Sequence, residues 1–134
     1  MIAEAGLEPG ELLRKLWLDK TLLRELHSDG HVIGLHSHTH PTRLRELEKT
    51  QQAYEYETNC KVISDCLGHR PDTMSHPCSS YNFDTLEILK GLGVKMGFRA
   101  NMAAIETRSC LEFRREDHTN VLRMMSHEGH GIYQ

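Results

Sequence analysis

The stretch "HVIGLHSHTHP", residues 31–41, decides how this chain is read. Gly30 precedes a short apolar run, His31 to Leu35, that is partly β-branched and suits a buried strand better than a helix. Three histidines follow at alternate positions, His36, His38 and His40. Neutral imidazole nitrogen suits Zn²⁺, Ni²⁺ and similar borderline ions, so a cluster at a strand end is a candidate metal centre. On a helix His36 and His40 would share a face, yet Pro41 disfavours the α region for His40, which predicts a loop or tight turn running off the strand. Two of the rings can still converge there, with His38 turned away to the rim. Ser37 and Thr39 are placed to hydrogen-bond across the turn and fix the ring orientations. The opposing reading makes these histidines polar loop residues with no ligand. A catalytic metal site takes a third protein ligand, so the cluster alone is incomplete.

Composition bounds what surrounds it. A length of 134 residues predicts a single domain, 1–134, with one modest core. The 38% hydrophobic and 26% charged content is ordinary for a soluble protein, and no stretch approaches the ~18 to 20 apolar residues of a membrane helix. A formal charge of −3 favours neither nucleic acid nor an anionic membrane as partner; small or neutral ligands fit better. Glu4 and Glu8 stand where a secretory signal would carry a basic start, so a cytoplasmic location is the expectation. Cys60, Cys66, Cys78 and Cys110 lack CxxC spacing and read as reduced thiols. Histidine is the unusual component, with five of ten falling between His27 and His40.

The periodicity predicts an amphipathic helix from Leu12 to Leu26, broken near Asp19 and stopped at Asp29-Gly30. Thr42 to Leu67 has no glycine or proline and many good helix formers, which predicts one long helix ended by Gly68 with a thin apolar stripe of Leu44, Leu47, Tyr54, Val62 and Ile63. A brief strand follows at Thr73 to Ser75, then a loop forced by Pro77. Asn82 or Asp84 can cap a helix that turns Leu86, Ile88, Leu89 and Leu92 inward. "VKMGFRA" and "CLEFR" are further strand candidates, and Thr119 to Ser126 a last helix. Alternation of this kind predicts a parallel sheet with helices packed on it, and sites in such sheets lie beyond the carboxyl ends of strands. His36 to His40 and Ser75 to Tyr81 both fall there.

"GHVIGLHSHTHP" closely resembles the second motif of the polysaccharide deacetylase family, the NodB-homology carbohydrate esterases, in which a His-x-x-x-His pair followed by proline supplies two metal ligands. "MSHPCSSYN", followed by "FDTLEILKGLGVKMGFRAN", is similar to that family's third motif, a proline-aromatic-glycine loop leading into a helix and the next barrel strand. The resemblance runs from Leu22 to Asn101, and more loosely over "LEFRREDHTNVL". It implies a partial or distorted (β/α) barrel of the NodB type that lacks its first strands. It also implies a metal-dependent hydrolase removing acetyl groups from N-acetylated sugars or oligosaccharides, with a divalent metal, Zn²⁺ or alternatively Co²⁺ or Ni²⁺, held by His36 and His40. The backbone N–H of Cys78, standing where the family often has Tyr or Phe, would meet the oxyanion, and His76, Pro77, Cys78 and Tyr81 would line the substrate site. The implied chemistry is a polarised acetyl carbonyl, an acidified water, a carboxylate base and an N–H donor to the developing charge.

The family's first motif, a Thr-Phe-Asp-Asp-Gly-like strand end carrying the base and a metal-binding Asp, has no counterpart in residues 1–35; Asp29-Gly30 belongs to the approach to the second motif and Asp19 to a helical pattern. Ser75 stands where many members have an arginine, and His76 is an extra histidine that reads as a rim residue or a replacement ligand. His127 and His130 are weak candidates for the family's acid histidine, and Arg115 reads as a surface or salt-bridge residue. A barrel lacking its opening strands exposes edges that a homo-oligomer would cover. Three hypotheses follow: a deacetylase completed by carboxylates from a partner subunit or from unrecognised residues, an inactive or incomplete deacetylase fragment keeping a sugar or metal site, and a bare metal-binding module. Dispersal of the histidines over several elements counts against the last.

Overall fold

The computed structural model describes residues 10, 16–107 and 109–126, and the chain divides into two compact units, Met1–Val32 and Ile33–Gln134. In the first, helix α1 (Lys20–Ser28) begins because Asp19 Oδ1 accepts hydrogen bonds from the N–H groups of Thr21 and Leu22, both at 2.8 Å. The expected break at Asp19 is therefore a helix cap. The helix ends as Gly30 takes a left-handed conformation, φ +93°, while Gly30 N–H donates to His27 O and His31 N–H to Leu26 O.

The second unit contains α2 (Lys49–Leu67), β1 (Thr73–Ser75), α3 (Phe83–Gly91), β2 (Met96–Phe98) and α4 (His118–Ser126). Strands β1 and β2 are parallel, pairing Thr73 with Met96, Met74 with Gly97 and Ser75 with Phe98. Single parallel bridges extend the ladder on both sides, Leu35 to Met74 and Phe98 to Phe113. The spatial order Leu35, β1, β2, Phe113 follows chain order, with α2 and α3 in the first two connections and an irregular segment in the third. Leu35, Leu44, Tyr56, Met74, Leu89 and Leu111 form the centre of the core. Gly97 is needed where two backbones touch: a Cβ there would lie 2.6 Å from Leu111 O.

Three expectations are corrected. Residues His31 to Leu35 enter the ladder only at Leu35, through Leu35 N–H to Thr73 O and Ser75 N–H to Leu35 O, each 2.9 Å. The long helix starts at Lys49, not Thr42. Before it, a 3₁₀ turn (Leu44–Glu46) buries Leu44 completely, and Ser80 Oγ and Asn82 Nδ2 bond the N–H and C=O of Arg45, so tertiary partners outcompete helical ones. The buried face of α2 carries Gln52, Glu55, Tyr56, Cys60, Ile63 and Cys66, while Tyr54 and Val62 are exposed. Its polar members hid it from an apolar count: Gln52 Nε2 donates to Leu47 O, and Gln52 Oε1 accepts from the Thr85 hydroxyl. The Asn82 cap of α3, with its side chain accepting from Thr85 N–H, is as expected. Leu89 is fully buried, and Leu86, Ile88 and Leu92 pack against the core. Among the described residues no helix is long and apolar enough to cross a membrane.

Candidate functional site

The histidine loop leaves the sheet at Leu35 and turns sharply, with Ser37 and His40 both left-handed at φ 62° and 57°. Non-glycine residues hold that conformation only where surroundings enforce it. Ser37 Oγ accepts from His40 N–H at 3.1 Å, closing the turn. The ring centroids of His36 and His40 stand 4.9 Å apart with planes tilted by 57°. His38 is directed elsewhere, edge-on to Tyr54 at 6.4 Å. His36 Nδ1 lies 2.8 Å from Ser75 O and 3.0 Å from Ser75 Oγ. A carbonyl oxygen only accepts, so Nδ1 carries the proton and Nε2 keeps the lone pair a metal needs.

Two side chains absent from the sequence-based site hold this loop from α2. Glu55 Oε2 accepts from His38 N–H at 2.9 Å and Thr39 N–H at 2.7 Å, and its Oε1 accepts from the Thr39 hydroxyl at 2.6 Å. One helical turn on, Asn59 Oδ1 accepts from His36 N–H at 3.0 Å. Burial opposes ionisation of Glu55, but the bonds from Thr39 and His38 outweigh it and hold the carboxyl below its usual value. The i, i+4 spacing of Glu55 and Asn59 was the available signal, and nothing in it says which loop they face.

The second loop follows β1. Cys78 and Ser79 are left-handed, both at φ 51°, and Ser79 Oγ accepts from Ala100 N–H at 2.6 Å. Cys78 is exposed and Pro77 buried. His76 is neither on the rim nor placed as a ligand: it is fully buried, its Nε2 donates to Leu111 O at 2.8 Å, and Tyr81 stacks on it at 4.1 Å. Burial pushes the His76 imidazole down to about 4, so the ring is neutral. Tyr81 donates to Glu112 Oε1 at 3.0 Å, and burial with that carboxylate raises its hydroxyl to about 12. Tyr81 thus covers His76 and offers the outer surface of the pair. Arg99, fully buried, donates Nε to Glu112 O and Nη2 to Ala103 O, and Arg115 Nε donates to Arg99 O. His127 and His130 lie outside the described residues.

His36 and His40, their ring centroids 4.9 Å apart and Nδ1 of His36 turned to Ser75, are the candidate donors to a divalent metal. Among the described residues no group of three or more His, Cys, Asp or Glu side chains could hold a metal ion.

The polysaccharide deacetylase family profile matches residues 10–97, through both histidine-bearing loops. The chain belongs to the polysaccharide deacetylase family. Among solved structures it is similar to the Streptococcus pyogenes deacetylase PplD in complex with acetate, with TM-score 0.67 and 23% identity over 81% of this chain and 50% of that one. It is also similar to the family 4 carbohydrate esterase from Streptomyces lividans in complex with acetate, with TM-score 0.53 and 21% identity over 60% and 40% of the two chains. A third likeness is to BA3943, a family 4 pseudoenzyme from Bacillus anthracis, with TM-score 0.53 and 15% identity over 56% and 26%. No curated protein sequence matches. This polysaccharide deacetylase chain therefore spans half or less of the length of these structures. The likeness establishes the fold, a partial α/β barrel of the polysaccharide deacetylase type with few strands.

Proposed function

We propose that this chain supplies the histidine and oxyanion half of a metal-dependent deacetylase acting on N-acetylated sugars or oligosaccharides. The observation that carries it is the facing pair of His36 and His40, with Nδ1 of His36 committed to Ser75 and Nε2 left as donor. A divalent metal there, Zn²⁺ or Co²⁺, supplies polarisation of the acetyl carbonyl and an acidified water. The Cys78 N–H, on a turn held by the Ser79 hydroxyl, is the donor for the oxygen that becomes negative. Tyr81, stacked over His76, forms the apolar wall against which a sugar ring rests. The acetate held by two of the fold relatives is the product this chemistry releases. The family's chemistry also takes a carboxylate base and a third metal ligand, and the described residues bring no third His, Cys, Asp or Glu to this pair.

The test is release of acetate from N-acetylglucosamine oligomers with added Zn²⁺ or Co²⁺, in this protein and in His36→Ala, each with and without chelator. Release that depends on metal and falls at least about 100-fold in the variant is expected. Equal rates in both proteins, or no release above the blank, would overturn the reading.

A further inference from the structure

The loop carrying His36 and His40 contains two left-handed non-glycine residues in five, a shape that costs free energy and does not persist unaided. The His36 ring is bonded to Ser75, but the backbone N–H bonds that the loop makes to the rest of the unit converge on one helix face. Glu55, only 6% exposed, spends both carboxylate oxygens on the middle of the loop, at His38 and Thr39. Asn59, four residues on and hence above it on the same face, takes the N–H of His36 at the loop's start. Ser37 Oγ takes the N–H of His40 at its end. A charged acceptor of two backbone N–H groups and a hydroxyl makes the strong form of hydrogen bond, with direction as well as energy.

We infer that Glu55 is a positioning residue: through His38 and Thr39 it holds the backbone so that the His36 and His40 rings face one another, with Asn59 as its second anchor. The inference rests on the metal reading above only for the consequence of that arrangement, not for the arrangement itself. Glu55 Oε1 and Oε2 are both committed to the loop, so its role differs from that of a metal ligand or a proton acceptor. The same geometry explains why His38 is turned out toward Tyr54: its backbone, not its ring, is what the site uses.

The test compares the parent protein with Glu55→Ala, Glu55→Gln, Thr39→Val, His36→Ala and, as a stability control, Ile63→Ala on the same helix. Amide exchange at His38 and Thr39 and the inter-ring nuclear Overhauser effect between His36 and His40 are read without metal; affinity for Co²⁺ is read by titration. Glu55→Ala is expected to speed exchange at both amides at least tenfold, to abolish the inter-ring effect, and to weaken Co²⁺ binding by about 10- to 100-fold. Glu55→Gln, which keeps one acceptor oxygen, falls between, and Thr39→Val loses less than Glu55→Ala. Ile63→Ala lowers the unfolding temperature but leaves the ring pair and the affinity unchanged. Parent-like exchange and ring contact in Glu55→Gln and Thr39→Val, or equal loss in Ile63→Ala, would overturn the inference, even if Glu55→Ala does not fold. Unaltered Co²⁺ binding in His36→Ala would instead overturn the metal reading and leave the positioning role to the exchange and ring-contact results.

Discussion

His36 Nδ1 donates to the backbone carbonyl of Ser75, 39 residues away, at 2.8 Å, so the end of one strand sets the tautomer of a side chain on its neighbour. Because the acceptor is main chain, removing the Ser75 hydroxyl leaves it in place. Ser75→Ala is expected to change Co²⁺ affinity by less than about tenfold, the lower bound for losing an orienting partner, whereas His36→Ala removes binding. Titration followed by visible absorbance checks this; a loss in Ser75→Ala as large as in His36→Ala would assign the orienting role to the hydroxyl.

His76 makes stability depend on pH with a definite sign. Its imidazole is held down to about 4 by burial in the fold and returns to about 6.5 when unfolded, so the unfolded chain binds the extra proton between those values. Above pH 6.5 the group makes no difference to stability. As pH falls toward 4 the folded state loses up to about 3 kcal/mol from this residue. Urea unfolding from pH 7.5 to 4 on the parent and His76→Phe measures it. The parent curve should fall more steeply than the variant's, and parallel curves would place His76 in contact with solvent.

Gly97 and Gly91 should respond oppositely to alanine. At Gly97 the new Cβ meets Leu111 O at 2.6 Å and Leu111 Cα at 2.9 Å, atoms that move only with the strand, and overpacking of that kind costs about 1 to 3 kcal/mol. At Gly91, in the last turn of α3, nothing lies within 4 Å, so alanine is neutral or stabilising by up to about 1 kcal/mol. Paired denaturant melts decide; equal shifts would contradict the close backbone approach.

The Thr85 hydroxyl bridges α2 and α3, donating to the buried Gln52 Oε1 at 2.5 Å. Thr85→Val keeps the volume and leaves that oxygen without its donor, a loss of about 1 to 3 kcal/mol. Adding Gln52→Leu should recover part of it, since the stranded Oε1 is then gone, while Leu47 O and Asn82 N–H each stay without the partner they had. Purely additive losses in the double variant would show that the two side chains act independently.

Local chemistry announces much of this protein. Asp19 and Asn82 cap helices because short polar side chains reach the first free N–H groups, and Gly30 and Gly68 end them because a left-handed residue is needed there. The alternation of elements foretold parallel pairing, Pro41 after His40 foretold the turn, and the resemblance of the two histidine-bearing motifs foretold the family. Tertiary structure alone decided the rest. Leu44 left the long helical pattern because the core and Ser80 offered its neighbourhood better partners than an extra helical turn. His76, with the same side chain as His36 and an equally suggestive position, went inside because Leu111 O and Tyr81 were there to receive it. Glu55 and Asn59 carry no motif; they act on the histidine loop because the fold brings one face of α2 against it, and a hydrogen bond depends on where its partner lies in space.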